Sequence, residues 1–120
     1  MRFLKYAAAA VVAVGSLGAS TAMAGVPGAS DCADKLACVY ANPNFITKYE
    51  HKGGGAGLTN ATADNVMSSF ANKTYYNGAW YMGFDGRSSC YNMFKRSTTH
   101  ELSSWQNDKM SSWRMDHGCR

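Results

Sequence analysis

Two short stretches carry the residue types best suited to binding chemistry. Asp64-Asn65-Val66-Met67-Ser68-Ser69-Phe70 is followed 43 positions later by Asn107-Asp108-Lys109-Met110-Ser111-Ser112-Trp113. Each has two carboxylate or carboxamide residues, two spacers, two serines and an aromatic. Seven positions agreeing in chemical type and order within so short a chain indicate an internal duplication. The oxygens of Asp64, Asn65, Ser68, Asn107, Asp108 and Ser111, with carbonyls from the spacers, make a donor set for a hard cation such as calcium, which takes six to eight oxygens. With one formal carboxylate per stretch, the affinity expected is that of extracellular modules, on the order of 10⁻⁴–10⁻³ M. A second reading stays open: Asp and Asn start turns through side-chain hydrogen bonds, and paired serines can tie a loop to a neighbouring hairpin without any metal. Phe70 and Trp113 are expected in the core.

Other chemistry finds little footing. There is no His-Glu-x-x-His, Gly-x-Ser-x-Gly or phosphate-binding loop, so the chain reads as a binding protein rather than an enzyme. His51, His100 and His117 are scattered in polar surroundings and read as solvated surface residues. Asn60-Ala61-Thr62 and Asn72-Lys73-Thr74 match the glycosylation sequon, which matters only in a eukaryotic secretory pathway. The aromatic run from Tyr75 to Tyr81 offers a sugar or protein contact surface, although alternating strand residues account for it more simply.

The segments around these stretches set the compartment and the size of the fold. Arg2 and Lys5, the apolar run Ala7 to Leu17 and Ala22-Met23-Ala24 have the form of a cleaved export signal over residues 1–24, too short in its apolar part to span a bilayer. The chain is therefore expected to be secreted and extracellular. Losing Arg2 and Lys5 with the leader takes the formal charge from +4 to +2. Basic residues are scattered, so neither a nucleic-acid footprint nor a membrane patch is expected. Residues 25–31 are expected to be a disordered lead-in, and 32–120 a single domain. Cys32, Cys38, Cys90 and Cys119 are an even set in an exported chain and predict two disulfides. Three connectivities are open; one bridge within each copy, Cys32 to Cys38 and Cys90 to Cys119, is the favoured pairing.

Short apolar runs bounded by Gly, Asn and Pro predict an all-β body of two Greek keys, about 32–77 and about 78–120. Leu36 to Tyr40 and Phe45 to Tyr49 form a hairpin about Ala41–Asn44. Lys52 to Gly57 is a glycine-rich loop. Ala71 to Tyr76 is a strand ending at an Asn77-Gly78 hairpin turn. Ala79 to Met82 and Ser88 to Phe94 flank a turn at Gly83–Gly86. Lys95 to His100 is a polar connection, and Leu102 and Trp105 share a helical turn.

The repeated stretches resemble the acidic-or-amide, acidic-or-amide, x, x, Ser/Thr, Ser signature of microbial βγ-crystallin domains, which there accompanies calcium. Tyr40-Ala41-Asn42-Pro43-Asn44-Phe45 resembles the aromatic hairpin of that family, with Thr47 where its glycine would stand; in the second copy Gly86 follows Tyr81 by five residues. The resemblance implies a βγ-crystallin-like sandwich of two Greek keys. The leader, the four cysteines, Cys38-Val39-Tyr40 and the late Asn107-Asp108-Lys109-x-Ser111-Ser112 before a terminal cysteine also resemble the secreted Streptomyces-type metalloproteinase inhibitors. That similarity implies a monomeric inhibitor of an extracellular metalloproteinase, with no inhibitory residue assigned. The alternatives are a calcium-binding structural or stress module and a toxin-like antimicrobial of the same fold.

Overall fold

The computed structural model describes residues 28–120. The expected leader and cleavage point, and residues 25–27 of the lead-in, lie outside the described residues. Eight strands occur among those described: β1 Leu36–Asn42, β2 Ile46–Gly53, β3 Thr59–Asn60, β4 Ser69–Asn72, β5 Gly78–Tyr81, β6 Cys90–Met93, β7 Ser97–Thr99 and β8 Ser112–Arg114. They form two four-stranded antiparallel sheets, ordered β2-β1-β4-β7 and β3-β8-β5-β6. Three strands of each sheet come from one copy and the fourth from the other: β3 crosses to lie beside β8, and β7 crosses to lie beside β4. This exchange gives both sheets the same order and relates them by a pseudo-twofold.

β1 shows how sequence sets burial. Ala37, Cys38, Val39 and Tyr40 are all fully buried because both faces of the strand are covered. Ala37 and Val39 point between the sheets, into a core with Trp80, Trp113, Met67, Met93 and Phe70. Cys38 and Tyr40 point outward, against Ala29, Cys32 and Ala71. The lead-in supplies that outer cover, so residues 28–31 are ordered, contrary to the expectation for residues 25–31. The Cys32–Cys38 disulfide pins the segment. Tyr40 Oη donates to Asp31 Oδ1 at 2.7 Å. The buried Lys73 ammonium donates to the carbonyls of Ala29 (2.6 Å) and Cys32 (2.9 Å). Burial lowers the Lys73 pKa, and the two carbonyls stand in for the water that the charge has lost. The second disulfide joins Cys90 and Cys119, so the favoured pairing is the one found.

The Asn77-Gly78 pair is not a hairpin turn. β4 ends at Asn72, the chain turns through Thr74 and Tyr76, and β5 starts at Gly78 in the opposite sheet. Gly78 serves close packing instead: a Cβ there would lie 2.3 Å from Met115 Sδ and 2.6 Å from the Arg114 carbonyl oxygen. The corner itself is made by the buried Asn72 side chain. Its Nδ2 donates to Tyr76 O and Met93 O, both at 2.9 Å, and its Oδ1 accepts from Thr74 N and Thr74 Oγ1. Two further differences follow from pairing partners remote in sequence. Ser97–Thr99, within the expected polar connection, is the exchanged strand β7, and Lys52 and Gly53 extend β2, so the loop begins at Gly54. A single helical turn does close at Ser103–Asn107, through the Asn107 N to Ser103 O bond (2.9 Å); Leu102 enters the core just before it and Trp105 faces solvent.

Thr47 adopts φ +67°. A β-branched residue in the left-handed region is strained by roughly 1–2 kcal/mol, and glycine enters that region freely. Thr47 also accepts a hydrogen bond at Oγ1 from Asn42 Nδ2 (3.1 Å, exposed). Thr47→Gly is expected to raise stability by about 0.5–1 kcal/mol, the strain relieved less the greater entropy of the unfolded chain. A urea midpoint equal to or below wild type would contradict this.

Candidate cation-binding turns

The two repeated stretches form equivalent turns on either side of the pseudo-twofold. Their spacer methionines hold them: Met67 and Met110 are fully buried in the core, which fixes the chain before and after each spacer. Asn65 and Asp108 both adopt φ +58°, a left-handed conformation that Asn and Asp tolerate better than other side chains. The amide of Asn65 donates to Met110 O (2.9 Å) and that of Asp108 to Met67 O (3.0 Å), so each turn is closed on the other copy.

The serine pairs divide their work. The second serine of each copy ties its turn to the hairpin of its own unit: Ser69 Oγ donates to Asn42 O (2.7 Å), and Ser112 Oγ donates to Gly83 O (2.7 Å). The first serine crosses over. Ser111 Oγ donates to Asp64 Oδ1 (2.5 Å) and lies 3.5 Å from Asn65 Oδ1, and Ser68 Oγ donates to Asp108 Oδ1 (3.4 Å). Each oxygen cluster therefore takes its carboxylate from one copy and its hydroxyl from the other. Asp64, Asn65 and Ser111 come together, as do Asp108 and Ser68. Asn107 is placed differently from its counterpart Asp64: its amide closes the Ser103 turn, and its side chain makes no hydrogen bond to Ser68 among the described residues.

Two residues of β2 bear on these turns and give no sign in a linear reading. Glu50 Oε1 accepts from Thr62 N (2.9 Å) and Thr62 Oγ1 (3.2 Å), two residues before Asp64, and Oε2 accepts from Trp113 Nε1 (3.1 Å). It thus fixes the entry to the first turn against β8. Tyr49 Oη is buried with no hydrogen-bond partner among the described residues. Burial above all, then the negative fields of Glu50, Asp108 and Asp64, raise the Tyr49 pKa, so its hydroxyl keeps its proton next to both acidic turns. Identical methionines at the second spacer were the available sequence signal for Met67 and Met110; for Glu50 and Tyr49 there was none.

The donor set is all oxygen. No group of three or more His, Cys, Asp or Glu gathers among the described residues. Carboxylate, hydroxyl and carboxamide oxygens, with an unpartnered phenol nearby, match a hard cation held by few charges and completed by carbonyls and water.

No known protein-family model matches the chain, and no curated protein matches it. Solved structures do. A βγ-crystallin domain from Flavobacterium johnsoniae superposes with a TM-score of 0.53 at 21% identity, over 68% of this chain and 92% of that one. A βγ-crystallin domain from Clostridium beijerinckii gives 0.56 at 15% identity, over 67% and 95%. A clostrillin double mutant in complex with nickel gives 0.55 at 16% identity, over 67% and 95%. Together with the exchanged strands β3 and β7, these likenesses establish that the chain has the βγ-crystallin fold, a sandwich of two Greek keys carrying two disulfides.

Proposed function

We propose that the protein is a calcium-stabilised module of βγ-crystallin fold that works by binding rather than catalysis. The observation that carries this is the crosswise pairing of Ser111 with Asp64 and Ser68 with Asp108. Oxygens 2.5–3.4 Å apart can share one ion at the roughly 2.3–2.6 Å of a calcium–oxygen bond once the hydroxyl proton turns away. Asp64 would hold one ion with Ser111 and Asn65, and Asp108 a second with Ser68. Because each ion would be gripped by both Greek keys, binding would stabilise their association, and the unfolded chain would have no such site.

With a dissociation constant of about 1 mM at each site, calcium at about 10 mM adds roughly 1.4 kcal/mol per site, about 2.8 kcal/mol for the pair, and raises the melting temperature by about 10–20 °C. Asp64→Ala and Asp108→Ala are each expected to remove about half of the rise, and the double variant all of it. A melting curve indifferent to calcium would dispose of the reading. Export rests on the leader-like residues 1–24 and inhibition of an extracellular metalloproteinase on the sequence resemblance alone, and both take second place. A thermolysin-like protease that stays fully active with excess protein would remove the inhibitor role and leave the calcium reading standing.

A further inference from the structure

The corner between the sheets also builds a cavity remote from the duplicated turns. Lys35, Gly54, Thr74, Tyr75 and Tyr76 line a space of about 260 Å³. Of the aromatic run Tyr75 to Tyr81, Trp80 and Tyr81 are core, whereas Tyr75 and Tyr76 are 64% and 50% exposed. Two large rings left in water at the mouth of a cavity are costly unless they have something to cover.

The rings are held in place. Thr74 Oγ1 donates to Asn72 Oδ1 (2.7 Å) and accepts from Tyr76 N (3.0 Å), so the buried Asn72 amide fixes the backbone carrying both tyrosines. The Tyr76 ring lies against bare backbone at Gly54, where a Cβ would come within 2.6 Å of its Cδ1. One side of Tyr75 is occupied by the Arg96 guanidinium, 4.7 Å from the ring centroid. Arg96 is itself held by Asp34 at 2.8 Å, which neutralises it. The Lys35 ammonium makes no ion pair or hydrogen bond among the described residues, and the neighbouring Asp34 carboxylate is engaged with Arg96.

We propose that this cavity binds one acidic sugar residue, with the C–H face of the pyranose ring against the tyrosines and its carboxylate on the Lys35 ammonium. Size restricts the occupant to about one ring, since drug-sized ligands need roughly 300–1,000 Å³. Chemistry restricts it further. A wholly apolar ligand would strip water from the phenols and the ammonium without replacing the hydrogen bonds. A polyphosphate or nucleic-acid strand needs several cations along its path, and among the residues lining the cavity Lys35 is the one cation. A sugar acid has an apolar ring face, a hydroxyl edge and one negative charge, which match the rings, the phenols and the lysine in turn.

The test is a titration of the full chain in the absence of calcium, read from the ring signals of Tyr75 and Tyr76 by nuclear magnetic resonance. Glucuronate is expected to move them saturably with a dissociation constant in the low millimolar range, about 1–10 mM, and glucose at least tenfold more weakly. Tyr76→Ala should abolish the movement at Tyr75, and Lys35→Ala should bring glucuronate down to the level of glucose, with melting temperatures unchanged. No saturable movement at about 100 mM, equal binding of glucose and glucuronate, or tighter binding of uridine monophosphate would each overturn the proposal.

Discussion

Asn72→Ala is expected to lower the free energy of unfolding by about 3–5 kcal/mol, a large part of the 5–15 kcal/mol typical of a small domain. The side chain is fully buried and makes four hydrogen bonds, to Thr74 N, Thr74 Oγ1, Tyr76 O and Met93 O. Alanine leaves Thr74 N and Met93 O, both in buried hydrogen bonds, without the amide, while Thr74 Oγ1 and Tyr76 O keep their bond to each other (3.1 Å); each unsatisfied buried group costs roughly 1–3 kcal/mol, and the cavity left by the side chain adds to the loss. The partners belong to different structures: Thr74 and Tyr76 to the corner, Met93 to β6 of the opposite sheet. Losing the amide therefore loosens the step by which the chain passes from one Greek key to the other. Asn77→Ala tests the rival position, where one exposed bond from Lys95 N to Asn77 Oδ1 is lost, and should cost no more than about 1 kcal/mol. Urea midpoints in the reverse order would show that Asn77 rather than Asn72 organises this corner.

That contrast shows where the sequence is legible. The duplication could be read directly, because Asp64 to Phe70 and Asn107 to Trp113 repeat in type and spacing, and it led to the paired Greek keys now seen. The favoured disulfide pairing likewise followed from one bridge per copy. Asn77-Gly78 misled because its residue types are those of a two-residue hairpin, while the glycine answers to crowding by Arg114 of β8 and Met115 just after it. Close approach by a strand more than thirty residues away leaves no local trace. The same holds for β7, three half-buried polar residues that become a strand only because β4 offers an edge. In the turns, the residue types were legible and their partition was not. Nothing in Ser68-Ser69 or Ser111-Ser112 says that the first serine crosses to the other copy and the second stays at home. Lys73 reads as a surface charge, yet it is buried because the lead-in folds back over β1 and presents two carbonyls to it.

Removing the Cys90–Cys119 bridge, as the double serine variant, is expected to cost about 3–4 kcal/mol. The bridge spans 29 positions, which include β7, the second turn and β8, and the loss is the loop-closure entropy returned to the unfolded chain. The Cys32–Cys38 bridge spans only six positions and is worth roughly 2 kcal/mol on the same argument. Access differs in the same direction. Cys32 and Cys38 are buried under the lead-in, whereas Cys90 and Cys119 are partly exposed at the sheet edge, so a mild thiol reductant should open the longer bridge first. Mass labelling of freed thiols in the native state would then mark Cys90 and Cys119 before Cys32 and Cys38, and the opposite order would refute the assignment. Denaturation separates the causes of the loss. If the bridge acts on the unfolded chain, its removal lets that chain expand, and the urea slope should rise as the midpoint falls. If it acts only by holding Cys119 N to Asn92 Oδ1 (2.8 Å) in the native state, the midpoint should fall with the slope unchanged, by no more than the roughly 1 kcal/mol of one exposed hydrogen bond.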